Sequence, residues 1–273
     1  MASGGEGQGG PGPRPPEGRK VTEPSHHQFE RLSKAYDATR SPMDPNLLAS
    51  ISNELSRAGV LRLLEVGVGT GRIARPLMDR GFTVLGLDAS PGMLRQACAK
   101  GLQRLVRADA DHLPLKGGSV DAAFFVHVLH LLDHPDRAIE EARRVGRTGA
   151  WAYVRLATEA PSGVQGQQPV WDRIYAELER RGFPGLREGG PFGPQREQKV
   201  LRDCPPDHLA VLRERSVTEP STVPLDFIAK GGSRAFTRVP PSLLVEVVDL
   251  VRPEFEGRSL TYREKVALAR WSP

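Results

Sequence analysis

Residues 61–71 read LRLLEVGVGTG, an apolar run that passes through Glu65 and opens into a turn with glycine at every second position. Leu61, Leu63, Leu64 and Val66 give the near-continuous apolar character of a parallel strand covered on both faces. Gly67, Gly69 and Gly71 then let the backbone turn sharply and approach a ligand with no Cβ in the way. Ile73, Leu77 and Met78 follow as the buried face of a helix, and Phe82 to Leu87 forms a second apolar run that ends at Asp88. This is a strand, turn, helix, strand unit with a carboxylate roughly 20 residues beyond the glycines, where it can accept ribose hydroxyls. Such a unit describes a nucleoside pocket, with Asp88 as its first binding residue.

The spacing separates the ligands that use this geometry. A dinucleotide fingerprint needs a third glycine five positions after the first, so that a helix N-terminus can sit against a pyrophosphate. That position is Arg72, which argues against NAD or FAD. A glycine triplet alone also suits an ordinary tight turn in another α/β protein, and what favours a cofactor loop is the continuation. Gln103 to Ala108 reads as a third strand followed by Asp109 and Ala110. Asp111 to Ser119 is a polar turn, and Val120 to Val126 is a fourth strand beginning beside Asp121. Pro135 to Val145 has helical spacing after a proline suited to a first turn, and Ala150 to Leu156 is a fifth strand. Leu209 to Val217 and Tyr262 to Trp271 read as the last two strands, the final one antiparallel.

The pattern Glu65-x-Gly67-x-Gly69-x-Gly71, with Asp88 and Asp109 at their stations, resembles motif I and its continuation in class I S-adenosylmethionine (SAM)-dependent methyltransferases. Within them it is similar to the small-molecule branch that includes the ubiquinone and menaquinone methylases. The resemblance spans Tyr36 to Trp271 and is weaker beyond Leu156. It implies a Rossmann-like, doubly wound α/β fold with a seven-stranded, mostly parallel sheet whose last strand is antiparallel, and helical cap or lid segments. It also implies SAM as cofactor, with S-adenosylhomocysteine (SAH) as product. The cofactor residues it implies are Tyr36, Glu65, Gly67, Gly69, Gly71, Asp88, Ala89, Met93, Asp109, Ala110 and His127. The family commonly has Pro-Gly-Gly before the fifth strand, where this chain has Gly146-Arg147-Thr148-Gly149, which puts that loop's geometry in question.

Length fits one such domain, expected over 25–273 after a Gly/Pro-rich tail, 1–24, whose composition cannot offset the entropy of ordering. Within it, 25–60 reads as N-terminal cap helices, 61–156 as the cofactor-binding core, and 157–208 and 224–257 as cap insertions over the substrate. The basic excess, 38 Lys and Arg against 33 Asp and Glu, is diffuse and without basic clusters interleaved with aromatics, which argues against nucleic acid. No apolar run reaches the roughly 18 residues of a membrane span. The cysteines, Cys98 and Cys204, have no ligand spacing; Cys98 on a helix reads as a small buried apolar residue, and a reducing cytoplasm fits.

The loop after the fourth strand, HVLHLL at 127–132, offers His127 and His130 as candidate bases, since imidazole titrates near neutral pH. Both can equally serve as pocket lining. Two histidines without a placed carboxylate or cysteine make a poor ligand set, so no metal is expected. Trp171, Tyr175 and Phe227 are candidate substrate contacts in the cap, with core packing as the alternative, and Tyr36 either covers the cofactor or anchors its helix. The leading expectation is methylation of an O, N or C atom of a small, fairly apolar metabolite. A methylase of a larger target, a membrane quinone or an RNA, and a non-catalytic binding module of the same fold stay open. The acceptor and the oligomeric state are not legible.

Overall fold

In a computed structural model of the chain, residues 33, 36–37, 40, 42–156, 168–186, 193–236 and 238–273 are described. The expected tail and most of residues 25–41, the first part of the expected cap stretch 25–60, lie outside these residues. The opening apolar run forms strand β1 (Arg62–Val66), after helix α1 (Pro45–Arg57), and leads through the glycine turn into the short helix α2 (Ala74–Met78). Then follow β2 (Thr83–Asp88), α3 (Pro91–Ala99), β3 (Leu105–Arg107), β4 (Ala122–Val126), α4 (Pro135–Val145) and β5 (Ala150–Leu156). The C-terminal part comprises α5 (Gln168–Arg180), α6 (Gly193–Asp203), β6 (His208–Pro220), α7 (Val223–Ala229), α8 (Pro241–Val251) and β7 (Ser259–Trp271).

These strands make one seven-stranded sheet in the order β3-β2-β1-β4-β5-β7-β6. β1 to β5 pair in parallel, and β7 runs antiparallel to both neighbours, as expected for the final strand. Strand order reverses between β1 and β4, so the loops leaving their carboxyl ends diverge and open a crevice there, where α/β sheets of this kind bind ligands.

Alternate residues of the strands feed two cores. Leu63 and Phe124 join α1, α2 and α3 on one face, while Leu64 and Phe125 join α4 and Val200 of α6 on the other. Both phenylalanines are fully buried, each contributing about 2–3 kcal/mol of transfer free energy. Within the expected cap stretch 25–60, α1 lies on this core: Asp44 caps it by accepting from the Asn46 amide at 2.8 Å, and Leu47, Leu48, Ile51 and Leu55 face the sheet. Two expectations need correction. Leu61 is 68% exposed and precedes the strand, because its amide and that of Arg62 are taken by the Asp121 carboxylate at 3.0 and 2.7 Å at the sheet's amino end. Cys98 is exposed, since α3 turns Met93 and Ala97 inward and leaves the next position facing out.

A third cluster stands apart, formed by α5, α7, α8 and the Phe255 region. It contains Val170, Ile174, Leu178, Leu225, Ile228, Val247 and Val251, so the cap has its own apolar interior. It connects to the sheet through the long β6/β7 pair, whose outer part, Pro220↔Ser259 to Arg215↔Glu264, extends beyond the Lys265–Trp271 stretch that pairs with β5.

The turn from Gly146 to Gly149 closes without the Pro-Gly-Gly sequence. The Thr148 amide and hydroxyl both donate to the Asp121 carbonyl, at 2.7 and 2.9 Å, and Trp151 Nε1 donates to the Thr148 hydroxyl at 3.0 Å. Gly149 has φ +92° and a Cβ there would lie 1.9 Å from the Trp271 carbonyl oxygen. Gly149→Ala is therefore expected to cost about 1–3 kcal/mol or more, read as a lowered urea midpoint with an unchanged slope. Wild-type stability in that variant would show that the turn and β7 adjust freely.

Candidate cofactor and acceptor site

The glycine turn is held by β2. Gly67 and Val68 donate to the Leu87 carbonyl at 2.8 and 2.9 Å, and Gly69 donates to Asp88 Oδ2 at 2.8 Å. The other oxygen, Asp88 Oδ1, accepts from Ser90 at 2.9 Å, while Ser90 Oγ caps α3 by accepting from the Met93 amide at 3.2 Å. An ionised carboxylate has about four acceptor sites. Asp88 uses its two oxygens to bind the loops after β1 and β2 into one surface.

The glycines in this turn differ in what they face. A Cβ on Gly67 (φ +74°) would lie 2.5 Å from Val128, in the loop after β4. One on Gly69 (φ +55°) would meet nothing within 4 Å, so the turn opens outward at that position. Beneath it, Glu65 is buried, and one of its oxygens, Oε2, has no hydrogen-bond partner. Burial first, and the Asp88 charge second, push its carboxyl well above the usual range. Ala89 is half-buried and Met93 fully buried beside Asp88. Asp109 is exposed and Ala110 half-buried just past β3, whose end is tied to β2 by Ala108 donating to the Asp88 carbonyl at 3.3 Å.

Two residues before the described core also reach this turn. Asp37 accepts from the Thr70 hydroxyl at 2.6 Å and pairs with Lys100 at the end of α3. The Arg40 guanidinium lies between two rings, 4.9 Å from the centre of Tyr36 and 5.0 Å from that of Phe227 on α7. Two side chains expected at the cofactor and in the cap are therefore linked through a third that the sequence did not single out.

The loop after β4 carries a backbone outlier. His127 has φ +55°, a left-handed conformation uncommon outside glycine, and such strain concentrates at functional sites. Its ring packs edge-on against Tyr153 of β5 with centroids 5.1 Å apart. Burial, with the Arg155 charge next, lowers the imidazole to about 3, so it is neutral near pH 7 and a weak proton acceptor. A 3₁₀ turn, Leu129–Leu131, then presents His130, whose Nδ1 lies 2.9 Å from Glu197 Oε1. The approach is short but poorly directed for a hydrogen bond.

Glu197, on α6, is the main residue that sequence reasoning missed. It is 2% exposed, and its second oxygen accepts from the Arg155 amide at 2.7 Å. Burial alone would raise its carboxyl; contact with His130 and the charge of Arg155 outweigh that and hold it below the usual range. Even with this carboxylate, no group of three potential metal ligands occurs among the described residues. In the cap, Trp171 stacks on Phe236 with centroids 5.7 Å apart and is buried, and Tyr175 lies against the same ring at 5.4 Å, so both pack within the cap. Phe227 is half-buried at its edge.

Comparison with known proteins gives the same picture for the core. Residues 64–154 match the family described as methyltransferase domain. Over 125 residues, 43% of this chain, the sequence is 38% identical to malonyl-(acyl-carrier protein) O-methyltransferase of Geobacter sulfurreducens, covering 46% of that protein. The chain spans about half the length of the curated relatives it matches. Among solved structures, a SAM-dependent methyltransferase of Thermotoga maritima covers 90% of this chain and 99% of its own at 20% identity and a TM-score of 0.48. The (4+2)-cyclase SpnF aligns with a TM-score of 0.51 at 16% identity, over 91% of this chain and 96% of its own. The likeness to SpnF, at a TM-score of 0.51, shows the fold alone, which by itself does not specify the reaction.

Because His127 is neutral when folded and free to protonate when unfolded, its contribution to stability is intact above 6.5 and is lost as pH falls toward 3. His127→Asn, which tolerates a left-handed backbone, is expected to flatten the fall of Tm over that interval. Identical pH profiles in the two proteins would show that the ring titrates normally.

Proposed function

We propose that this chain, whose residues 64–154 match the family described as methyltransferase domain, transfers a methyl group from SAM to a nucleophilic atom of a small metabolite. The observation that carries this is the glycine turn fastened to Asp88 at the reversal of strand order, open outward at Gly69. The residues present fit the nucleoside: Asp88 is an acceptor suited to ribose hydroxyls, Asp109 stands exposed at the next strand end for the adenine amino group, and Met93 and Ala89 are apolar walls. Glu65, whose carboxyl is held toward the neutral form, supports the turn from below by accepting from the Ala74 amide.

When bound, SAM supplies a methyl group already activated on a sulfonium sulfur. What the chain must add is orientation, exclusion of water and, for a hydroxyl or ammonium acceptor, a place for one proton. With His127 held neutral by burial, His130, set 2.9 Å from a Glu197 oxygen, is the histidine placed to receive that proton. Glu197 stays ionised and faces its Nδ1 side, so a proton taken up by the ring gains a charged partner. Neutral His127, set by its strained backbone between Tyr153 and the glycine turn, acts as lining and positions the loop. The helical cap, with its separate apolar interior, is the element that covers the acceptor, and the Tyr36–Arg40–Phe227 stack joins it to the cofactor end. The acceptor is a small molecule on this reading, at an O, N or C atom.

Calorimetric titration with SAM and SAH, using NAD as control, tests the proposal: both sulfur compounds are expected to bind and NAD is not. Failure of both to bind would remove it. Asp88→Ala is expected to weaken SAM binding by about 1.5–3 kcal/mol through loss of a charge-assisted acceptor, and an unchanged Kd would place the ribose elsewhere.

A further inference from the structure

We propose that Arg155 anchors a carboxylate group on the methyl acceptor. This inference rests on the methyltransferase reading for what the site acts on, but the anchor itself is argued from the geometry at the end of β5.

Arg155 is the penultimate residue of β5, on the side of the crevice opposite the glycine turn, and is half-buried. Its Nε is sealed from solvent and has no hydrogen-bond partner, and no described residue pairs with its guanidinium. Other partly buried arginines meet carboxylates: Arg173 and Arg181 pair with Glu177, and Arg213, whose Nε is also buried without a partner, pairs through both terminal nitrogens with Asp44 and Glu264. The carboxylate nearest to Arg155 in role, Glu197, is already committed, one oxygen to the Arg155 backbone amide and the other to His130. The strand end thus spends the hydrogen bonds of its acidic neighbour on the main chain and on an imidazole; among the described residues the guanidinium is left without a hydrogen-bonding acceptor, although its charge acts on Glu197.

A guanidinium carries five donors in a planar fork, and leaving any of them desolvated without an acceptor is costly. Arginine in this state is suited to a planar oxyanion that it can hold in two parallel hydrogen bonds, for which a carboxylate is the matching group. Position supports the same ligand. Arg155, Glu197, His130 and Arg72 all act electrostatically on the His127 ring, so the arginine's charge is felt where the loop after β4 faces the cofactor turn. A carboxylate held there would present the rest of the molecule to His130, and a neutral analogue would leave the guanidinium as it stands now, unpaired. Arg155 is thereby a specificity-determining residue, and the acceptor is an organic acid instead of a purely apolar metabolite.

The test uses the full chain saturated with SAH. Pairs of small acids and their primary amides, such as benzoate with benzamide and hexanoate with hexanamide, are titrated calorimetrically into the wild type, Arg155→Met and Arg155→Lys. At least one acid is expected to bind about tenfold or more tightly than its amide, a preference lost in Arg155→Met and partly kept in Arg155→Lys. SAH affinity is expected to be unchanged and reports a folded cofactor side; Arg155→Met also removes a charge that helps keep buried Glu197 ionised, so its Tm is expected to fall while Arg155→Lys keeps it, and if Arg155→Met does not fold, Arg155→Gln replaces it. Equal affinity for acid and amide in every pair, no binding of any acid, or a preference that survives in the Met or Gln variant would overturn the proposal. If SAM and SAH fail to bind while an Arg155-dependent preference for acids persists, the methyltransferase reading falls and the anchor stands.

Discussion

The carboxylate of Asp88 receives amides from two different loops, Gly69 after β1 and Ser90 after β2. Much else in the crevice follows from that clasp. It fixes how far the glycine turn stands from the second strand, and the turn in turn sets Val128, which lies where a side chain on Gly67 would be. Val128 is the neighbour of His127, so the strained backbone at the mouth of β4 is registered to the cofactor side through direct packing. Charge-assisted hydrogen bonds to backbone amides are short and directional, and a side chain that makes two of them at once leaves the loops little freedom.

On the other flank, Glu197 plays a comparable part with a different mixture of partners. One oxygen meets main chain at the end of β5 and the other meets the imidazole of His130, so α6, in the later part of the expected cap stretch 157–208, is brought against the loop after β4. A buried carboxylate is tolerated only when such contacts outweigh its desolvation. That is the case here, since the group remains in its ionised form. The two acidic residues divide the crevice between them, Asp88 organising the loops after β1 and β2 and Glu197 the end of β5 and the loop after β4.

The strands and the glycine turn were legible in the sequence, and most of the opposite side of the crevice was not. Strands with apolar runs, a glycine turn and a terminal carboxylate announce themselves locally, which is why β1, β2, β4, β5 and α4 lie where periodicity puts them. The long final strands were recognised through their inner, more apolar parts. Glu197 could not be singled out, because Gly193 to Asp203 is largely polar and only Val200 and Leu201 mark a buried side. Arg155 reads as one charged residue closing a strand, and its lack of a partner exists only in three dimensions. Arg40 joins Tyr36 to Phe227 across nearly two hundred positions of sequence, a contact no local pattern encodes. Cys98 shows the converse, a residue type commonly buried that the register of α3 turns outward.

The outer stretch of β6 and β7 carries a mechanical consequence. Beyond Lys265 these two strands pair only with each other, and the polypeptide between them returns as helices with a separate apolar interior. The cap is thus mounted on a two-stranded cantilever, and a small change in twist where the ribbon leaves the sheet is magnified at the helices it carries. Away from this mounting, the Arg40 side chain between Tyr36 and Phe227 ties the cap to the segment before α1. The polypeptide between the two strands can lengthen or shorten with the clasp at Asp88 untouched, so one arrangement of the glycine turn is compatible with many shapes of roof.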